Sequence, residues 1–132
     1  MITSNAFLIS MTQEVLHSFR DLVVWQKAMD LVVSIYELTR GFPSQEQYGL
    51  ISQMRRSAVS IPSNLAEGRR RSTRNDFLHF VFIAYASGAE LETQLELSQR
   101  LGFCSKEQFD QTSQLLDSIM KMLNRLTLSL KT

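Results

Sequence analysis

The sequence predicts an all-α fold, an up-down-up-down four-helix bundle. Apolar residues recur every three or four positions in four successive stretches of the 132-residue chain, which is the period of amphipathic helices. Five Gly and two Pro are too few for the frequent turns of an all-β fold. The connections between the stretches are short, and short connections favour antiparallel neighbours.

The first helix is predicted over residues 22–40. Asp21 is the expected N-cap, and Gly41 with Pro43 is expected to end the helix. Its apolar positions are spaced four and three residues apart, so they share one side of the helix. They are Val24, Ala28, Leu31, Ile35 and Leu38.

The second helix is predicted over residues 45–69, opened by a capping box in Ser44–Gln47. Its core-facing positions are Leu50 or Ile51, Met54, Ala58, Ile61 and Leu65. Pro62 removes a backbone hydrogen bond and disfavours the helical conformation of the residue before it. We therefore expect a kink near Pro62.

The third helix is predicted over residues 73–101, capped by Ser72 or Thr73 and ended by Gly102. Its core-facing positions are Phe77, Val81, Ala84, Gly88, Leu91 and Leu95. Small residues occupy the middle of this helix, and small side chains permit a close approach by a neighbouring helix.

The fourth helix is predicted over residues 105–130, with a capping box in Ser105–Gln108. Its apolar positions follow a heptad-like spacing, interrupted only by Thr112. They are Phe109, Leu116, Ile119, Leu123, Leu126 and Leu130. The four predicted helices together form one bundle domain over residues 19–132, and we expect residues 1–18 to be a tail or an extension of the first helix.

Composition excludes several classes of protein. Fourteen Lys and Arg against thirteen Asp and Glu give a formal charge of +1, so total charge alone predicts no polyanionic partner. A single Cys excludes an internal disulfide and a Cys-based zinc site. No apolar run reaches the roughly 18 residues of a membrane helix, and the first residues lack the basic start of a signal peptide. We expect a cytoplasmic protein with no membrane partner.

Signatures of catalysis and metal binding are weak. Di-iron sites in helical bundles need a Glu-x-x-His motif on each of two helices, whereas this chain has two His, His17 and His79. Asp76 precedes His79 by three residues, which we interpret as a capping residue beside a surface or satisfied histidine. Cys104 lies in a predicted turn with nothing that places a His beside it. We expect no catalytic residues, no metal, no cofactor and no enzyme activity.

Basic residues are concentrated where the second and third helices meet. Residues 55–74 hold six of the fourteen Lys and Arg and a single acid, Glu67. Guanidinium groups and the free N–H groups of a helix start both attract phosphate. We expect a nucleic-acid-binding patch with weak sequence preference and little base stacking, because most aromatic residues fall on the apolar sides. Its residues are Arg69, Arg70, Arg71 and Arg74, supported by Arg55.

Two other interpretations of the arginine cluster stay open. It could contact another subunit or an acidic partner, or it could be a solvated surface. The distribution of acids favours the contact with another subunit. The acids are concentrated later in the chain than the arginines, and a molecule with basic and acidic regions suits head-to-tail self-association. They are Glu90, Glu92, Glu96, Glu107, Asp110 and Asp117.

Polar residues also form a stripe on the second helix. They follow one another at intervals of three, four, four and three residues, so they share a face beside the apolar side. They are Gln53, Arg56, Ser60, Asn64 and Glu67. Glu90 or Glu92 of the third helix could pair with this stripe. We interpret it as a structural polar network or an interface between helices or subunits.

Several blocks of the sequence resemble one known family. They are Phe19–Ala28, Phe42-Pro43, Glu46, Tyr48–Leu50, Gln53, Arg55-Arg56, Ser60–Gly68, Asp76-Phe77 and Ser87–Leu95. They resemble the four-helix-bundle proteins encoded by intervening sequences within bacterial 23S rRNA genes, from residue 19 to about residue 128. The chain is also distantly similar to the accessory bundle protein of diversity-generating retroelements, which binds nucleic acid and a reverse transcriptase.

The resemblance implies an up-and-down bundle that assembles into a homopentamer, and it implies no catalytic residues. Apolar residues outside the predicted core also favour a homo-oligomer, because exposed apolar patches mark contacts. They are Val23, Val33, Phe80 and Phe82. The first functional hypothesis is a non-catalytic oligomeric bundle that binds structured RNA or DNA through its arginines. The alternative is a protein-interaction scaffold or accessory subunit that docks an acidic or polymerase-type partner.

Overall fold

The computed structural model describes residues 18–132, and this part of the chain is built from four α-helices. They are α1 (Val23–Arg40), α2 (Leu50–Arg69), α3 (Arg74–Arg100) and α4 (Lys106–Lys131). Single-turn 3-10 helices precede α1 and α2, and no strand occurs within residues 18–132. The predicted all-α four-helix fold is confirmed. The tail expected over residues 1–18 lies, apart from Ser18, outside the described residues.

Each helix packs against its neighbours in the cyclic order α1–α2–α3–α4, with α4 closing back onto α1. The predicted core positions are buried from Val24 to Leu38 in α1, from Met54 to Leu65 in α2 and from Phe77 to Leu95 in α3. On α4, the central positions are buried, whereas Phe109, Leu126 and Leu130 are half-buried. Full burial of a Leu or Ile side chain contributes about 1.5–3 kcal/mol, so this core stabilises the bundle.

Two helix starts differ from the prediction. Leu22, not Asp21, is the N-cap of α1, because Asp21 is part of the 3-10 turn Phe19–Asp21. The capping box expected in Ser44–Gln47 is wrong, since Ser44–Glu46 forms a 3-10 turn closed by i→i+3 backbone bonds. Helix α2 begins only after Gly49, whose ψ of −112° leaves the helical range. The carboxylate of Glu46 then accepts a hydrogen bond from the Leu50 N–H at 3.2 Å.

The starts of α3 and α4 follow the prediction. The Thr73 hydroxyl accepts a hydrogen bond from the Asp76 N–H at 3.1 Å. Ser105 and Gln108 form a complete capping box, with each side chain bonded to the other residue's N–H. Gly102 ends α3 with a φ of +75°, a left-handed conformation that Gly adopts at low cost.

Close contacts fix the spacing of the helices at two glycines. A β-carbon at the buried Gly88 of α3 would collide with the Met120 thioether of α4, so the expected close approach occurs. A β-carbon at Gly68 would lie 2.6 Å from the Phe80 β-carbon, which brings the end of α2 against the start of α3. Helix α2 continues through the buried Pro62, and the bend expected there stays a prediction. None of the described helices has the length and hydropathy of a membrane span.

Candidate nucleic-acid interface

The turn between α2 and α3 carries the arginine cluster. Its members are Arg69, Arg70, Arg71 and Arg74. The turn is closed by backbone bonds from Arg70 and Arg71 to the last turn of α2. Arg70, Arg71 and Arg74 are exposed, whereas Arg69 is half-buried. The structure therefore brings the four main predicted residues together at one end of the bundle.

Aromatic rings support three of these guanidinium groups. Their Cζ atoms lie 5.9 Å (Arg69 on Phe77), 4.9 Å (Arg71 on Phe80) and 5.4 Å (Arg70 on Phe19) from the ring centroids. The rings of Phe77 and Phe80 are placed there because Gly68 allows α3 to approach. A cation–π contact uses the face of the guanidinium and leaves its N–H donors free. The turn thus holds the arginines without consuming all their hydrogen bonds.

Few carboxylates neutralise the cluster. Arg71 pairs with Glu67 at 3.0 Å, and both side chains are about half exposed. Within residues 18–132, Arg69, Arg70 and Arg74 form no ion pair. An exposed i,i+4 pair is worth about 0.3–0.5 kcal/mol, so Glu67 competes only weakly with a phosphate. The turn keeps a net positive charge.

Sequence reasoning missed Arg20, which lies at the same end of the bundle. It is exposed, and its Cζ atom lies 4.6 Å from the centroid of the Phe19 ring that Arg70 also contacts. The segment Phe19–Asp21 packs against α2. No local signal places residue 20 beside residue 70, although the dipeptide Phe19-Arg20 opens the family-like region of the sequence.

Arg55, in contrast, is not part of this cluster. It precedes Arg69 by 14 residues on α2, which is about 21 Å at 1.5 Å per residue. Its Nε donates to the Thr39 hydroxyl at 2.9 Å, and its Nη2 donates to the Tyr36 carbonyl at 3.4 Å. Its guanidinium also lies 4.3 Å from the centroid of the Tyr36 ring. The structure therefore places the predicted supporting residue in a separate site.

The polar stripe of α2 is only partly a network. Ser60 and Ser87 share a hydrogen bond of 2.7 Å between α2 and α3. The Asn64 amide donates to the Ser60 carbonyl at 2.8 Å and to its hydroxyl at 2.9 Å. Glu67 faces Arg71 instead. Of the five predicted residues, Ser60 thus connects α2 to α3, and Asn64 bonds Ser60 within α2.

Glu90 is bound by a residue that the sequence did not single out. The buried Ser57 donates to the Glu90 carboxylate at 2.7 Å, and Gln94 approaches the same oxygen at 3.4 Å. Gln53 and Arg56 are exposed and contribute no side-chain hydrogen bond among the described residues. Among the described residues, no member of the stripe forms a side-chain hydrogen bond with Glu90 or Glu92, since Ser57 is the α2 residue that bonds Glu90.

Acidic residues line a groove between α3 and α4. The groove measures about 340 Å³, with the apolar residues Leu95, Phe109 and Leu116 among its lining residues. Its acids are Glu92, Glu96, Asp110 and Asp117. Three of them pair with a Lys or Arg four residues away. The acids of this groove therefore lie apart from the basic turn between α2 and α3, and neighbouring basic residues neutralise three of them.

A profile match decides the family. Residues 20–125 match the family described as 23S rRNA-intervening sequence protein. The chain belongs to this family. A crystal structure of a protein of unknown function from the S23 ribosomal protein family of Bacteroides thetaiotaomicron has 28% identical sequence and a TM-score of 0.72, covering 80% of this chain and 98% of that one. No curated protein matches the sequence. The distant similarity to the retroelement accessory protein stays a prediction.

In this member of the 23S rRNA-intervening sequence protein family, the described residues include two side chains with reactive chemistry, Cys104 and His79. Burial raises the pKa of the Cys104 thiol, which disfavours the nucleophilic thiolate. His79 is exposed, with its ring 5.4 Å from that of Phe80. Residues 18–132 hold no group of three or more His, Cys, Asp and Glu placed to bind a metal ion.

Proposed function

We propose that this protein is a non-catalytic, oligomeric helical bundle that binds nucleic acid, chiefly structured RNA, at the α2–α3 turn. One observation carries the proposal. The turn presents three exposed arginines, Arg70, Arg71 and Arg74, of which only Arg71 has a carboxylate partner among residues 18–132. Such a surface suits a ligand that offers several phosphates at once.

The chemistry of the turn favours phosphate over other anions. A guanidinium donates two parallel hydrogen bonds to phosphate oxygens, and a helix start adds unpaired N–H groups and a positive dipole. Arg74 is the first residue of α3, so the side-chain donors and the helix start lie together. Contacts to phosphates position a nucleic acid without reading its sequence. We therefore expect weak sequence preference and affinity that falls steeply with salt.

The family description names 23S rRNA intervening sequences, which makes RNA the first polyanion to test. Enzyme chemistry receives no comparable support. Cys104 has a raised pKa, so it is poorly suited to be a nucleophile at neutral pH. A binding role needs only the arginines that the turn already presents.

A homo-oligomer is the second part of the proposal. Large apolar side chains stay exposed on α1 and α3, and such surface is available for contacts between subunits. They include Val23, Met29, Val33, Phe82 and Leu97. The family resemblance favours a pentamer. Light scattering should then give a particle of about five times the 15.2 kDa chain mass, and a 15.2 kDa particle at micromolar concentration would contradict the assembly.

The experiment for RNA binding replaces Arg69, Arg70 and Arg71 together by Gln. We expect the plot of log affinity against log salt to flatten by about 2–3 for a structured RNA, because about 0.7–0.9 counterions are released per phosphate contact. The matched control replaces Arg40, Arg100 and Lys106 by Gln, which removes the same charge from exposed positions outside the turn. The control should keep most of the slope.

The oligomeric state of both variants is measured in the same samples. An intact oligomer with lost RNA affinity supports the proposal. Unchanged affinity in the turn variant overturns it, and so does an equal loss in the control. Dissociation of the turn variant alone would instead assign the arginines to contacts between subunits.

A further inference from the structure

A groove of about 470 Å³ opens between α1 and the first half of α2, away from the arginine turn. Two tyrosines and two arginines line it, Tyr36, Tyr48, Arg55 and Arg56, and its other lining residues are uncharged. Ligand sites commonly have volumes of about 300–1,000 Å³. The groove therefore combines aromatic surface with positive charge and has no carboxylate among its lining residues.

Arg55 forms a fixed, planar wall of this groove. Thr39 is 1% exposed, and its hydroxyl donates to the Ile35 carbonyl at 2.7 Å while accepting from Arg55 Nε at 2.9 Å. The ring of Tyr36 supports the guanidinium at 4.3 Å. A side chain held by a ring and two hydrogen bonds loses little further freedom when a ligand binds. Arg55 is thus pre-organised to stack on a planar group.

Tyr48 supplies an exposed aromatic ring on the same groove. It is 92% exposed, which is unusual for a large aromatic side chain. Most aromatic residues were expected on the apolar sides, and the three tyrosines Tyr36, Tyr48 and Tyr85 are exceptions, since all of them are exposed. The surface therefore offers stacking area that the sequence pattern did not predict.

We propose that this groove binds an unpaired nucleobase and its phosphate, that is, a single-stranded segment of RNA. The base stacks on Tyr48 or on the Arg55 plane, since both aromatic rings and guanidinium planes stack on bases. The exposed Arg56 contacts the adjacent phosphate. The absence of acids among the lining residues favours an anionic ligand, and the two planar groups favour a base over a simple phosphate.

The inference rests on the proposed function only in that both sites take RNA. The α2–α3 turn recognises phosphates of either single-stranded or paired RNA, whereas the groove recognises a base that is not paired. The two sites are about 21 Å apart along α2. Single-stranded and double-stranded ligands therefore separate them.

The test measures the affinity of the full chain for three ligands of equal length: single-stranded RNA, duplex RNA and an abasic deoxyribose-phosphate strand. Tyr48→Ser removes the ring, and at an exposed position it should not disturb the fold. We expect Tyr48→Ser to weaken single-stranded RNA binding by about 5- to 150-fold, which corresponds to one stacked base. Binding of the duplex and of the abasic strand should not change, and Tyr48→Phe should bind like the unmodified protein.

Three outcomes would overturn the groove assignment. They are unchanged affinity of Tyr48→Ser for single-stranded RNA, an equal loss for all three ligands, and dissociation of the oligomer, which would make the groove a contact between copies. The turn variant separates this inference from the proposed function. If Arg69, Arg70 and Arg71 can be replaced without loss while Tyr48→Ser loses single-stranded RNA, the turn assignment fails and the groove stands. If the unmodified protein binds none of the three ligands, both assignments fail.

Discussion

The two ends of α2 both hold arginines against aromatic rings, but they hold them in different ways. At the first half of the helix, Arg55 uses its N–H groups on Thr39 and on the Tyr36 carbonyl. Just beyond the other end, Arg70 and Arg71 rest on phenylalanine rings, which accept no conventional hydrogen bond, and of the two only Arg71 donates to a carboxylate, that of Glu67. One end therefore presents a fixed plane, and the other presents free donors. The same residue type is thus held in place at one end and left with donors for a ligand at the other.

The difference originates in the neighbouring helices. A threonine hydroxyl near the end of α1 is available to Arg55, and it is almost completely buried. Near the turn, Gly68 instead lets Phe77 and Phe80 approach the backbone of α2. Substitutions at Thr39 and Gly68 should therefore change the two ends separately.

The largest effect is expected for Gly68→Ala. The added β-carbon would lie 2.6 Å from the Phe80 β-carbon, an atom that cannot move without its helix. We expect the free energy of unfolding to fall by about 1–3 kcal/mol, as for other overpacked sites. Urea denaturation at fixed protein concentration measures this change.

Gly88→Ala is the matched control. Its β-carbon meets the flexible end of Met120, and Ala is favoured over Gly within a helix by about 1 kcal/mol. We expect a net change smaller than that of Gly68→Ala. Equal stabilities of Gly68→Ala and the unmodified protein would contradict the close approach at the turn.

A smaller effect is expected for Thr39→Val at the other end of α2. The substitution removes the acceptor of Arg55 Nε and keeps the shape of the side chain, which should cost about 1–2 kcal/mol. Thr39→Ser retains the hydroxyl that accepts from Arg55, so it should lower the free energy of unfolding by less than Thr39→Val does. A double-mutant cycle with Arg55→Met measures the coupling, expected to be about 1 kcal/mol, and additive effects would contradict the contact.

The N-cap of α3 is expected to contribute about 1 kcal/mol. Thr73→Ala removes the hydroxyl that accepts from the Asp76 N–H, and loss of an N-cap usually costs about this much. Thr73→Ser should recover the stability in urea denaturation. If Ala and Ser at this position are equally stable, the hydroxyl does not cap the helix.

The smallest effect on stability is expected for Glu67→Gln. Its pair with Arg71 is exposed, so the free energy of unfolding should change by less than about 0.5 kcal/mol. Affinity for RNA should rise a few-fold at low salt, because Arg71 gains a free donor, and the gain should vanish at high salt. Glu92→Gln in the acidic groove removes the same charge and should give a smaller gain. Equal gains would indicate a general charge effect.

The helices were predictable because their signals are local. The core-facing positions predicted from Val24 to Leu38, from Met54 to Leu65 and from Phe77 to Leu95 are spaced three and four residues apart. All of them are buried in the structure. The wrong start of α2 lies where the chain turns back after α1. The 3-10 turn Ser44–Glu46 follows Phe42, which is buried against Phe103 of the α3–α4 connection. The residues Ser44–Gln47 alone could not predict that contact, because Phe103 is distant in sequence.

The candidate site was predictable to the same extent. Arg69, Arg70, Arg71 and Arg74 are close in sequence, so the turn keeps them together. Arg20 and Arg55 depend on packing between separate segments, and their places were therefore missed. The partner of Glu90 was missed for a simpler reason, since neighbouring positions on a helix differ by about 100°. That rotation separates the exposed Arg56 from Ser57, which faces Glu90.

The turn Phe19–Asp21 gives the protein an internal optical reporter. Trp25 is its single tryptophan, and the ring lies edge-on to Phe19 at 5.2 Å. Phe19 is in turn covered by the Arg70 guanidinium at 5.4 Å. A ligand that pulls Arg70 away from this ring changes the polarity and packing beside the indole. If a ligand displaces Arg70, the emission of this one native fluorophore should therefore report it, without a label and without competition from other tryptophans.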